Sequence, residues 1–126
     1  MLSNKEIIKL IDSFKTKEKH ETSELVDLLY NLVQRMAYHD NNDDLHINIT
    51  YYAFPYDGNS RLDITANNSL LRIKIEPLVM IKILDTILEK LSADEQALLL
   101  LKGFDIMGLR NWIYDNYKNP AERYGL

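Results

Sequence analysis

Residues 45–76, LHINITYYAFPYDGNSRLDITANNSLLRIKIE, carry the only two-residue hydrophobic period in the chain, and their reading decides the fold. Side chains alternate between the two faces of a strand. Leu45, Ile47, Ile49, Tyr51 and Ala53 therefore share a face, opposite His46, Asn48, Thr50, Tyr52 and Phe54. In a second run Leu62, Ile64 and Ala66 oppose Arg61, Asp63 and Thr65. In a third, Leu71, Ile73 and Ile75 oppose Arg72, Lys74 and Glu76. Asp57-Gly58 is a hairpin signal, because a type I′ turn needs positive φ at both central residues. Centring the turn there predicts Ala53 opposite Leu62, Tyr51 opposite Ile64 and Ile49 opposite Ala66. A second turn at Asn68-Ser69 predicts Ala66 opposite Leu71 and Ile64 opposite Ile73, with Arg61 facing Glu76 and Asp63 facing Lys74. Both placements bring the apolar faces together, whereas a slip of one residue would separate them. The stretch is predicted to be a three-stranded antiparallel meander.

Everything on either side reads as helix. Ser3 with Glu6 forms a capping box before Ile7, Leu10, Ile11 and Phe14, predicting a helix over about 3–17. Lys15, Lys17 and Lys19 fall at or past its C-terminus, where cations suit the helix dipole. A second helix over about 22–38, capped by Thr22 or Ser23, buries Leu25, Leu28, Leu29, Leu32, Val33 and Met36. After the meander, Pro77 suits a first helical position. Leu78, Ile81, Leu84, Leu88 and Leu91 then line a core face over about 77–91, flanked by Met80 and Ile87, with Lys82, Asp85, Glu89 and Lys90 outward. Ser92 and Glu95 form another capping box, followed by the all-apolar run Ala97–Leu101. Such a helix must be covered on most sides, by core or by a partner. Gly103 closes it, Asp105 caps a last helix bearing Ile106, Leu109, Trp112, Ile113 and Tyr117, and Asn119-Pro120 ends that helix. The expected fold is α+β, in the order α-α-β-β-β-α-α-α, with helices covering one face of the sheet. It reads as a single domain over 1–126: a helical hairpin at 3–38, the meander at 45–76, a helical part at 77–118 and a loosely held tail at 119–126.

At 126 residues the chain is long enough to bury about two thirds of its surface. Its 46% hydrophobic and 27% charged residues are ordinary for a globular protein. With no cysteine, disulfide and thiolate chemistry are excluded, and a reducing, cytoplasmic setting is the expectation. The start, MLSNKEIIKLIDSF, does not read as a signal peptide, and no stretch approaches the roughly 18 apolar residues of a membrane span. A net charge of −4, divided as −3 over 1–44, 0 over 45–76 and −1 over 77–126, argues against non-specific nucleic-acid binding.

Few motifs carry chemistry. The loop 39–46 gathers His39, Asp40, Asp43, Asp44 and His46, but an EF-hand counted from Asp40 would need glycine at Leu45 and a carboxylate at Tyr51. No metal site and no cofactor are predicted. Neither G-x-S-x-G nor a phosphate-cradling glycine loop occurs, and no catalytic residue is assigned. The segment 92–113, SADEQALLLLKGFDIMGLRNWI, resembles a helix-turn-helix, with Gly103 at the turn and Gly108, Leu109 and Trp112 where that motif tends to have small, apolar and aromatic residues. The resemblance implies a DNA-binding regulator acting through about 93–117. Lys102, Arg110, Asn111 and Lys118 would be its candidate contacts, and Ile106 and Met107 would also face outward.

The favoured expectation is different. Helices on one side of the sheet would leave its polar face open, bearing Tyr52, Phe54, Arg61, Asp63, Arg72 and Lys74. Aromatic residues and arginine are the types enriched in protein interfaces. The sequence therefore predicts a non-catalytic protein-binding module, a small regulator or inhibitor of a larger protein or nucleoprotein machine, of phage or mobile-element type. Self-association through the sheet face or the 97–101 helix is compatible with either reading.

Overall fold

The computed structural model describes residues 1–38, 44–54 and 58–117. Five helices and three strands follow one another as α1 (Asn4–Lys15), α2 (Thr22–Ala37), β1 (Ile47–Tyr52), β2 (Arg61–Ala66), β3 (Ser69–Lys74), α3 (Pro77–Lys90), α4 (Ala93–Leu101) and α5 (Ile106–Tyr117). The order is the α+β order expected from the sequence. The strands form one antiparallel sheet in the order β1-β2-β3.

Burial alternates along the strands as the two-residue period requires. Leu62, Ile64, Ala66, Leu71 and Ile73 are buried, while Arg72 and Lys74 are exposed. The helices cover the apolar face. Helix α1 packs beside β3 and α2, and α3 packs between α2 and α5. The buried apolar residues from every element but α4's exposed turns form one continuous core. Within it the Tyr51 hydroxyl donates to the Ile75 carbonyl at 2.7 Å, and burial pushes that phenol up to about 12.

The strand pairing corrects both predicted registers. Tyr51 lies opposite Leu62 and Ile49 opposite Ile64, two residues from the register expected of a turn at Asp57-Gly58. Beyond that pairing Gly58 takes φ 67°, and the buried Ser60 hydroxyl accepts from the Phe54 N–H at 2.9 Å. Asp57 itself lies outside the described residues. The second turn falls on Asn67-Asn68 and not Asn68-Ser69, with Ala66 opposite Ser69. Asn67 alone takes a positive φ, 54°, as the first central residue of a type II′ turn does. Both pairings differ from expectation by two residues. A two-residue shift leaves every side chain on its own face, so matched faces could not reveal it.

The helix ends follow the sequence closely. Both capping boxes form, Ser3 with Glu6 and Ser92 with Glu95, and Pro77 opens α3. At α2 the cap is Glu21 and not Thr22 or Ser23, because the Glu21 carbonyl already takes the first helical bond from the Leu25 N–H at 3.1 Å. On α3, Met80, Ile81, Leu84 and Ile87 are buried as expected, while Leu78 is exposed and Ile83 is buried. With α2 on one side and α5 on the other, the buried stripe of α3 is wider and turned from the predicted one.

Candidate functional site

The sheet face turned away from the helices brings together all six residues singled out there. Tyr52 and Phe54 follow one another on the same face, 41% and 38% exposed. Across from Tyr52 stands Arg61, its guanidinium carbon 4.6 Å from the centre of the Tyr52 ring and 5.9 Å from that of Phe54. Both distances lie within cation–π range. Asp63 is opposite Arg72 and accepts two parallel bonds from it, at 3.0 and 3.1 Å. That fork-on-fork contact holds the Arg72 guanidinium pKa above its ordinary value. Arg61 Nε also lies 3.5 Å from the Asp63 carboxylate. The expected Asp63–Lys74 and Arg61–Glu76 pairs do not form, because Lys74 lies opposite Arg61 in the observed register.

Among the described residues the three strands place one carboxylate, Asp63, beside three cations, Arg61, Arg72 and Lys74, and the exposed Glu76 follows on the same face where α3 begins. A shallow depression of about 540 Å³ runs between Phe54, Asn59, Arg61, Arg72 and Lys74. Asn59 lies in that depression, and the exposed Leu70 also lies on the open face, although sequence reasoning named neither. The two-residue shift explains Leu70. It pairs with Thr65 inside the sheet, a place the predicted turn at Ser69 denied it.

The residues of the helix-turn-helix-like segment sit differently. Arg110 donates to both carboxylate oxygens of Asp85 on α3, at 2.8 and 3.4 Å, and this holds its pKa above the ordinary value. Lys102 donates to the Met36 and Ala37 carbonyls at 2.8 and 3.0 Å, closing the C-terminus of α2. Asn111 is exposed, and Lys118 lies outside the described residues. Ile106, expected to face outward, is buried and shares the interior with Leu29, Val33, Leu84 and Ile87. Gly108 has a local cause. Its N–H bonds the Asp105 carboxylate at 2.8 Å, and a Cβ there would displace that carboxylate and break the cap of α5.

Helix α4 is less covered than its sequence implied. Leu99 is buried, but Leu100 and Leu101 are exposed, Leu101 at 85%. With Met107, Trp112 and Tyr114 they leave exposed apolar side chains along α4 and α5. The all-apolar run was the signal for these residues, since it left open a contact outside the core. Of the loop considered for a cation, residues 39–43 lie outside the described residues, and no group of three metal-ligating side chains occurs among those described. No described helix is long and apolar enough to cross a membrane. No protein-family model matches the chain, nor does any curated protein or solved structure.

Proposed function

We propose that this protein is a non-catalytic protein-binding module whose open sheet face docks an acidic surface of a partner. The carrying observation is the arrangement of Tyr52, Phe54, Arg61, Asp63, Arg72 and Lys74. Two half-exposed rings flank a guanidinium, and within the described strands three cations stand beside one carboxylate in a chain of net charge −4. Aromatic side chains and arginine supply most hot-spot energy in protein interfaces, and local positive charge steers an acidic partner toward them. The fold does not need these residues for its core, which lies wholly on the other side of the sheet. A small regulator or inhibitor of a larger machine is the role that fits such a face.

The DNA-binding reading of 93–117 has weaker support. Base and phosphate contacts require side chains free to leave the protein. Arg110 and Lys102 are both held by neighbouring elements, and the first position of α5 is core. The test is affinity capture from nuclease-treated lysate with the wild type and with a Tyr52→Ala/Phe54→Ala/Arg61→Ala variant of unchanged circular dichroism. A stoichiometric protein held by the wild type and lost from the variant supports the proposal. Equal retention by both would refute it, and capture of one duplex DNA sequence in untreated lysate would restore the alternative.

A further inference from the structure

Among the described residues no further strand adjoins either edge of the sheet, and the two edges differ. The bond from the Asn67 N–H to the His46 carbonyl, at 2.9 Å, fixes which residues of β1 bond to β2. Hydrogen-bonded pairs alternate along an antiparallel ladder, so Asn48, Thr50 and Tyr52 turn their backbone groups toward β2. Ile47, Ile49 and Tyr51 turn theirs outward, where no further strand among the described residues pairs with them. By the same count from Ile75 N–H to Ser60 carbonyl, Leu70, Arg72 and Lys74 face outward on β3.

Unpaired edges are templates for another strand, and proteins guard them with lysine, proline, other charges or a covering element. β3 is guarded by Arg72, Lys74 and the nearby α1. β1, INITYY, carries no charge, no proline and no glycine, and is β-branched or aromatic at five of its six positions. A second observation lies beside it. A cleft of about 660 Å³ at the start of β1 is lined by Met36, Leu45, Ile47 and the exposed Leu101, with Arg35 and Lys102 among its polar lining.

The geometry points to a second copy of this chain on the β1 edge, paired antiparallel about a two-fold axis through Ile49. Outward-facing residues then meet outward-facing residues: Ile49 meets Ile49, and Ile47 meets Tyr51, of the second copy. On the open face Asn48 pairs with Thr50 and His46 with Tyr52, so no like charges meet. The end of the second β1, Tyr51 to Ala53, runs past the cleft and covers Leu101. A two-fold axis normal to the sheet keeps both open faces on one side, giving a six-stranded sheet with helices behind it. This assembly does not depend on what binds the open face.

The test is sedimentation of the full chain over a concentration series reaching about 1 mM, at the weak end of the affinity scale. The expected species has twice the chain mass of 14.8 kDa. Asn48→Lys/Thr50→Lys sets ammonium groups opposite each other across the axis, and should raise the dissociation constant at least about tenfold. Asn48→Glu/Thr50→Lys sets opposite charges there and should restore association. Because the chain has no cysteine, register can be read directly. Position 48 opposite position 50 is a non-hydrogen-bonded pair, with Cα atoms about 4.5 Å apart, within disulfide reach. Mixing Asn48→Cys with Thr50→Cys protein under mild oxidation should give mainly the mixed disulfide. A wild type that stays monomeric throughout, an association untouched by the double-lysine variant, or cross-linking without preference for the mixed pair would overturn the proposal.

Discussion

On the open sheet face Lys74 extends into solvent and Arg72 is bonded only within the face, to Asp63, whereas on the α4–α5 side Lys102 and Arg110 are bonded to other elements, α2 and α3. The residue types are the same, and their commitments differ. Lys102 satisfies two of the carbonyls that a helix end leaves without intrahelical partners, and Arg110 joins α5 to α3. On the sheet only the Asp63 carboxylate is shared, between Arg72 and Arg61, and Lys74 has no ion-pair partner among the described residues. Cations spent on the fold should cost stability when removed, and cations left over should not. That difference can be measured variant by variant.

The largest effect on stability is expected at Glu95, which anchors the helical side. Its buried carboxylate accepts from the Ser92 N–H at 3.0 Å and from Gln34 on α2 at 3.3 Å. Glu95→Ala removes a reciprocal cap and leaves Gln34 short of a partner. The loss should be about 1–3 kcal/mol in urea unfolding at pH 7. The capping bond with Ser92 lowers this carboxyl's pKa below the ordinary 4.5. A group whose folded pKa is depressed adds stability above its unfolded value and loses it as pH falls through the folded one. The gap between wild type and variant should therefore narrow below about pH 4.5, and a gap constant with pH would show that the charge contributes nothing.

Arg110→Ala comes next, at about 0.5–1.5 kcal/mol, because its two bonds to Asp85 are charge-assisted but partly exposed. The same loss with Asp85→Ala, and little further loss in the double variant, would identify the pair as the source. A residue reserved for DNA would leave unfolding unchanged. Lys102→Ala should cost less, about 0.5–1 kcal/mol, through the C-terminus of α2. Lys102→Arg should recover part of it.

Sequence reasoning read the faces of the sheet and missed its register for one physical cause. Alternation reports which side a residue occupies, and that is unchanged by a shift of two. Ile64 was correctly placed on the core face, yet its partners are Ile49 and Leu71 and not Tyr51 and Ile73. Turn chemistry was the remaining signal. Three residues in a row, Asn67, Asn68 and Ser69, all suit turns, and only the structure shows that Asn67 takes the positive φ. The capping boxes were legible because each is local, spanning four residues. The engagement of Arg110 was not, since Asp85 lies on another helix and nothing in the spacing joins them. Likewise Gly108 suited a DNA-binding motif by type, while its actual constraint is the Asp105 cap.

Lys74 supplies the smallest stability effect and the finest test of the contrast. Its side chain is exposed, it sits opposite Arg61, and removing it relieves a like-charge neighbour. Lys74→Ala should thus change stability by no more than about 0.5 kcal/mol in either direction. Its effect on an acidic partner should appear mainly in the association rate, and should fade as salt screens the face. Phe54→Ala, also nearly neutral for folding, should act mainly on dissociation, because an aromatic contact is short-ranged and needs the docked state. A Lys74→Ala variant that unfolds as readily as Arg110→Ala would erase the distinction between the two regions. One that lowers the association rate at low salt while leaving the unfolding curve in place would confine the working charge of this protein to the sheet.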